Sequence, residues 1–404
     1  MDMQSKAKKL IEMIQTAPVE WKPLGEVASI GKGKQLNKSI LREKDKYPVI
    51  NGGINPSGYW HEYNNEAGTI VISQGGASAG FVNWMDIPFF AGAHAYTIKA
   101  NEDKLLQRFA YYFLKMKQIT FMQCQYGAGI PALAKSELQN LLIPIPPLEI
   151  QQKIVKILDK FTELEATLEA ELALRKRQYR YYRDFLLDFD NQIGGGIADG
   201  YKSRLKDVVW KTLGEVALDF GRGKSKHRPR NDVRLYGGSI PFIQTGDIKN
   251  AGHIIESYTQ TYNDFGLKQS KLWKKGTLCI TIAANIAETA VLGFDACFPD
   301  SVIGFVANPK ETTSDYVEYL LSSLKMKLQE KGMGSAQENI NLTTFSNMRF
   351  PFPPLPEQEK IVAILDKFDT LTHSISEGLP HEIALRRKQY EYYREQLLAF
   401  PKAT

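Results

Sequence analysis

The chain reads as an α/β protein of the α+β kind, in which two domains with mixed β-sheets are joined by two long, antiparallel, coiled-coil-like helices. The first observation is repetition. Trp21-Lys22-Pro23-Leu24-Gly25-Glu26-Val27-Ala28 recurs as Trp210-Lys211-Thr212-Leu213-Gly214-Glu215-Val216-Ala217. Ile157-Leu158-Asp159-Lys160-Phe161 recurs as Ile364-Leu365-Asp366-Lys367-Phe368, and Gln178-Tyr179-Arg180-Tyr181-Tyr182-Arg183 as Gln389-Tyr390-Glu391-Tyr392-Tyr393-Arg394. The second is that the repeats enclose two unlike inserts, each rich in short β-like runs. The third is a stretch from Leu148 to Phe189 without Gly or Pro. A duplicated frame around unlike inserts is a device for holding two readers at a set distance, which points to recognition rather than catalysis.

With 404 residues, the chain is long enough for about two domains. A hydrophobic content of 43% supplies real cores, and a net charge of +6 fits a polyanionic partner without requiring one. Three cysteines (124, 279 and 297) are too few for a disulfide framework or a zinc site, and read as apolar thiols in a reducing cytoplasm. No signal peptide and no run of about 20 apolar residues is visible. The expected setting is therefore cytoplasmic, without a membrane.

Residues 1–20 hold a short amphipathic helix, with Leu10, Ile11 and Ile14 on one face and Lys6, Lys8 and Lys9 on the other. Residues 21–147 form the first insert domain. Its strands are read at 47–50, 68–72 and 95–98, with a helix near 104–116. Ile143-Pro144-Ile145-Pro146-Pro147 closes it, because proline fits neither a helix interior nor a central strand.

Residues 148–189 form the central helix, with Pro147 where helices like to start. Ile154, Ile157, Phe161, Leu164 and Leu168 step three and four apart, as do Leu172, Tyr179, Tyr182, Leu186 and Phe189 once one polar slot near Arg175 is allowed for, across a stutter between Leu168 and Leu172. About 40 helical residues span roughly 60 Å, so the apolar stripe needs a partner. The distal region, 355–400, offers one in Ile361, Ile364, Phe368, Leu371 and Ile375, then Ile383, Tyr390, Tyr393, Leu397 and Phe400 past a break at Gly378-Leu379-Pro380. Residues 190–209, with Gly194-Gly195-Gly196, read as a linker. Residues 210–354 are the second insert domain, with strands at 241–243 and 276–282, a helix near 314–327, and the terminator Phe350-Pro351-Phe352-Pro353-Pro354. Leu148 corresponds to Leu355, 207 positions on, and Ala173 to Ala384, 211 on. The central helix therefore lacks four residues of the distal copy, in a tract with leucine at 164, 168 and 172.

Catalytic signatures are missing. Gly223-Lys224-Ser225 resembles the end of a phosphate-binding loop, but the required earlier glycine falls on Leu218. The six histidines show no metal-ligand spacing, and no bound cofactor is expected. Basic and amide-rich loops stand out instead: Lys32, Lys34, Asn51, Gln74, Gln125 and Tyr126 in the first insert, and Arg222, Lys224, Lys226, His227, Arg228, Arg230, Gln244, Thr245, Asn285, Gln337 and Asn339 in the second. Lys and Arg neutralise phosphates, while Gln, Asn and Arg can form paired hydrogen bonds with base edges. Five cations within Arg222–Arg230 make that loop the strongest candidate for nucleic-acid contact.

The paired Trp-Lys-x-Leu-Gly-Glu-Val starts, the Pro-Pro-Leu leads followed by Gln and Ile-Val, and the paired Ile-Leu-Asp-Lys-Phe segments resemble the DNA-specificity (S) subunit of type I restriction–modification systems. The Gln-Tyr-x-Tyr-Tyr-Arg blocks and the ending Leu397-Leu398-Ala399-Phe400-Pro401 look like its type IC branch. The resemblance implies two target-recognition domains, each reading half of a bipartite site in double-stranded DNA, and an antiparallel helix pair that sets the spacer. It further implies two methyltransferase (M) subunits carrying S-adenosylmethionine, restriction (R) subunits using ATP, and no active site in this chain. A stand-alone tandem DNA-binding regulator and a coiled-coil scaffold without a nucleic-acid role are the rival readings.

Overall fold

The computed structural model describes residues 3–123, 132–189, 207–282, 287–333, 346–374 and 376–401. It forms two compact units, Met1–Thr167 with Ala384–Thr404, and Leu168–Ile383. Both units thus draw on the central helix and on the distal helical region.

The first unit begins with α1 (Met3–Thr16), β1 (Glu20–Pro23), α2 (Leu24–Val27) and β2 (Ala28–Lys32), then β3 (Tyr47–Ile50), β4 (Tyr59–Trp60), β5 (Thr69–Ser73), β6 (Val82–Met85), β7 (Phe90–Ala91) and β8 (Ala95–Ala100). Helices α3 (Gln107–Met116), α4 (Gln118–Gln123) and α5 (Lys135–Asn140) follow, then β9 (Leu142–Ile145) and α6 (Leu148–Leu187). One sheet runs β2-β8-β5-β6, all antiparallel. A second, β4-β3-β7, is mixed, because β3 and β7 are parallel. Every residue of β5 is buried, as a strand covered on both faces requires.

The second unit repeats the plan with β10 (Val209–Thr212), β11 (Ala217–Arg222), β12 (Tyr236–Phe242), α7 (Thr245–Asn250), β13 (Ile254–Ile255), β14 (Gln260–Tyr262) and α8 (Asp264–Lys268). Next come β15 (Leu278–Thr281), β16 (Thr289–Leu292), β17 (Val302–Ala307), α9 (Ser314–Met333), β18 (Arg349–Phe352) and α10 (Leu355–His373). Its main sheet, β11-β17-β15-β16-β13, is closed by a parallel pair, β13 with β16. The last helix, α11 (Gly378–Leu397), carries the chain back into the first unit.

The proline-rich closing segments are more than terminators. Trp21 pairs with Pro144 in the antiparallel β1·β9 ribbon, and Trp210 with Pro351 in β10·β18. A two-stranded ribbon tolerates proline because one side of each strand owes no ladder bond. The repeated Trp-Lys start and the proline exit are therefore the two sides of one clasp, built twice. A buried glutamine locks each clasp to the following helix. Gln151 Nε2 donates to the Lys104 and Pro146 carbonyls, and its Oε1 accepts the Leu106 N–H. Gln358 Nε2 donates to the Glu311 and Pro353 carbonyls, and its Oε1 accepts the Thr312 hydroxyl. A second repeated tie runs from the Tyr112 hydroxyl to Asp159 and from the Tyr319 hydroxyl to Asp366.

The seam is aromatic. Phe161 stacks on Tyr393 at 5.4 Å and meets Tyr390 at 6.4 Å. Tyr179 and Tyr182 meet Phe368 at 6.2 and 5.5 Å. Within the first unit Phe161 meets Tyr390 and Tyr393 while Glu165, one turn on, pairs with Arg387, and within the second Tyr179 meets His373 while Tyr182 meets Phe368, so in each unit α6 runs antiparallel to its distal partner. Ile154, Ile157, Phe161, Leu168, Tyr179 and Ile361 are buried, and Leu164, Leu172, Phe368, Leu371, Tyr390 and Tyr393 are half-buried.

Three expectations are corrected. Ile364 is 40% exposed and Leu365 is fully buried, so the stripe on α10 runs Ile361, Leu365, Phe368 and Thr372. Steps of three-four-three and four-three-four both satisfy helical periodicity, and packing chose the second. Tyr182 keeps 37% exposure although its ring reaches Phe368. The distal region is two helices, α10 and α11, separated by a break as expected, but the interruption precedes Gly378 instead of including Gly378, Leu379 and Pro380. Gly378 takes a positive φ of 68°, and Pro380 lies in the first turn of α11, where its missing N–H costs no helical bond. Ile375 and Gly194-Gly195-Gly196 lie outside the described residues.

Candidate nucleic-acid interface

In the first unit the ends of β2, β3, β5, β7 and β8 are tied together by backbone bonds. Gly33 N–H reaches the Ala95 carbonyl at 2.9 Å, Lys34 N–H the Ala91 carbonyl at 2.9 Å, and Gly92 N–H the Ile50 carbonyl at 2.8 Å. Asn51 Oδ1 accepts the His94 N–H at 3.1 Å, and the His94 carbonyl accepts the Gln74 N–H at 2.8 Å. Lys32, Lys34, Asn51 and Gln74 are thereby gathered at one end of the sheets. Lys32 and Lys34 are exposed and make no ion pair among the described residues, while Asn51 and Gln74 are half-buried. Gly33 is needed for the close approach, since a Cβ there would collide with the carbonyls of Ala91 and Gly92.

The second unit uses the same construction. Gly223 N–H reaches the Val302 carbonyl at 2.9 Å, Ile282 N–H the Ser301 carbonyl at 3.0 Å, and Ile243 N–H the Cys297 carbonyl at 2.8 Å. A Cβ on Gly223 would strike the carbonyls of Phe298 and Pro299. Arg222, Lys224 and Lys226 project from this end, exposed and without an ion pair among the described residues.

The rest of the basic loop is spent internally, which narrows the sequence expectation. The Arg228 guanidinium donates to the Ser225 and His227 carbonyls at 2.6 and 2.8 Å. Arg230 pairs with Asp300 at 2.8 Å, and His227 Nε2 lies 2.7 Å from Asp232. Hydrogen bonds from Arg234 first, then from His227, hold the Asp232 carboxyl well below the usual carboxylate range. The loop therefore offers three uncommitted cations rather than five. Gln244 and Thr245 open α7, where the Gln244 N–H donates to Asp247 at 2.8 Å. Gln125, Tyr126, Asn285, Gln337 and Asn339 lie outside the described residues.

Sequence reading missed His94, which is exposed between Asn51 and Gln74. A lone histidine beside Ala93 carries no signal until the strand ends are brought together. It also missed Gln151, Gln358, Asp159 and Asp366 as couplers, although their recurrence at a common offset was visible.

These paired loop ends on a repeated frame can be set beside known proteins. A family model described as the type I restriction modification DNA specificity domain matches residues 18–174 and 206–385. The chain belongs to this family. It is 32% identical to a putative type I restriction enzyme specificity subunit of Haemophilus influenzae, over 98% of this chain and all of that protein. It is 31% identical to the EcoR124I/EcoR124II specificity subunit of Escherichia coli, over all of this chain and 98% of that one. The crystal structure of the type I restriction–modification S subunit from M. genitalium shares its fold, with a TM-score of 0.62, 21% identity, and coverage of 96% and 97% of the two chains. A chain from a type I R-M system whose complex assembly has been described gives a TM-score of 0.59 at 16% identity. Among the described residues, no helix is long and apolar enough to cross a membrane, and no group of three or more His, Cys, Asp or Glu could hold a metal ion.

Proposed function

We propose that this chain is the DNA-reading subunit of a type I restriction–modification complex, of the type IC branch, working in the cytoplasm. Each recognition domain reads one half of a bipartite site in double-stranded DNA, and α6 with its distal partners sets the spacer. Methylation from S-adenosylmethionine and ATP-driven restriction reside on two M subunits and on R subunits docked to this one, and the chain itself supplies no catalysis. The observation that carries the reading is the pair of loop ends with exposed cations, Lys32 and Lys34 in one unit and Arg222, Lys224 and Lys226 in the other, on a frame built twice.

The test is to mix the purified chain with its own methyltransferase subunit and map the methylated sites. Exchanging residues 22–146 for another insert should change one half of the site and leave the other intact. If both halves change together, the two domains are not separate readers. If the chain binds DNA alone and supports no methylation, it is a stand-alone regulator.

A further inference from the structure

The two inserts differ in sequence, yet their backbone hydrogen bonds allow residue-by-residue registration. The Gly33 N–H to Ala95 carbonyl bond matches Gly223 to Val302, and Gln74 N–H to the His94 carbonyl matches Ile282 to Ser301. The parallel pairing of Ile50 with Ala91 has its counterpart one step on from the Phe242–Cys297 bridge. The forbidden Cβ at Gly33 meets the Ala91 and Gly92 carbonyls, and that at Gly223 meets Phe298 and Pro299. Lys32 therefore corresponds to Arg222, Lys34 to Lys224, Asn51 to Gln244, and His94 to Ser301.

The registered positions fall into two kinds. At 32/222 and 34/224 both units keep an exposed cation. A phosphate looks the same at every base pair, so a contact with it calls for the same chemistry in both units. At 94/301 the side chain changes from an imidazole to a hydroxymethyl group while the backbone position is retained. Two readers of unlike half-sites need that combination: a common support and an interchangeable polar tip that can donate or accept a hydrogen bond.

We propose that His94 and Ser301 are equivalent base-reading positions, and that Lys32/Arg222 and Lys34/Lys224 are the phosphate clamps holding them in the groove. This rests on the function proposed above. Asn51 is then a positioning residue, because its Oδ1 is occupied by the His94 N–H. Gly52, with φ of 84°, passes 3.1 Å from the His94 carbonyl at its would-be Cβ, so the support is closely packed.

The experiment uses the full chain with its methyltransferase subunit, duplex DNA and S-adenosylmethionine. His94→Ser and Ser301→His are made separately, and Lys34→Ala and Lys224→Ala serve as contrasts. His94→Ser should lower methylation of the original site by about 5- to 150-fold relative to a site altered in that half, the range of one mismatched base pair. Ser301→His should alter the other half only. Either lysine change should weaken all duplexes alike, leave the motif unchanged, and reduce the log–log salt slope by about 0.9. The proposal is overturned if both His94→Ser and Ser301→His leave the methylated motif unchanged, or if a lysine change alters it. If the wild-type complex methylates no bipartite site, the underlying function is wrong and this proposal falls with it. A normal wild-type motif combined with unaltered motifs in both variants refutes the base-reading positions alone.

Discussion

Replacing Phe161 with alanine tests whether the helix pair is held by its aromatic seam. The side chain is 2% exposed, stacks on Tyr393 at 5.4 Å, and lies in one core with Ile154, Leu158, Leu397 and Phe400. Truncating a buried Phe costs about 3–5 kcal/mol, within which an aromatic pair accounts for about 0.5–1.5 kcal/mol. For a unit of this size, each kcal/mol moves the melting temperature by about 2–4 °C, so the transition of the first unit should fall by roughly 6–20 °C. Lys160 is the contrast: it pairs with Glu163, and both side chains are about two-thirds exposed. Lys160→Ala should cost about 0–1 kcal/mol. Glu165 would be a poor control, since it is only 24% exposed and pairs with Arg387 of α11. Calorimetry of the two variants decides the matter. Equal shifts for Phe161→Ala and Lys160→Ala would refute an apolar seam.

Replacing Arg222, Lys224 and Lys226 together should weaken DNA binding and flatten its log–log salt dependence by about 0.9 per lost phosphate contact; Arg230→Ala, which removes a cation already paired with Asp300, should change the slope less. Inserting four residues after Leu172 turns α6 by roughly 400° and lengthens it by about 6 Å, which keeps the stripe near the seam; methylome mapping should show unchanged half-sites separated by one or two additional base pairs. His253 is stacked on Tyr319 at 4.6 Å and held between Asp315 and Glu318 at 3.1 and 2.8 Å. Burial alone would depress its pKa, but these two carboxylates outweigh burial and hold it up at about 10. Because the folded value is raised above 6.5, the stabilisation is complete below about pH 6.5 and is lost as pH rises toward about 10. His253→Gln should lower stability most below pH 6.5 and converge with wild type near pH 10, as read by urea midpoints.

The frame was legible in the one-dimensional chain because it occurs twice. A repeated Trp-Lys start, a repeated Pro-Pro-Leu lead and a Gly-free, Pro-free run with apolar steps of three and four imply two domains and a long helix from local chemistry alone, whereas the pairing of each start with its proline exit into a clasp appears only in the folded chain. The cations of the two loops were equally visible, since charge is a property of single residues. Which cations remain available was not. Asp300 lies 70 residues from Arg230, and only folding sets it there to neutralise that arginine. The choice of Leu365 over Ile364 was hidden for a related reason: both registers satisfy helical periodicity, and burial depends on what packs across the helix. Most hidden was the register between the unlike inserts. Backbone hydrogen bonds carry no side-chain identity, so the equivalence of His94 with Ser301 exists only in the tertiary structure. Composition and repetition determined that there are two readers on one frame; the packing of distant strand ends decided which side chains each reader presents.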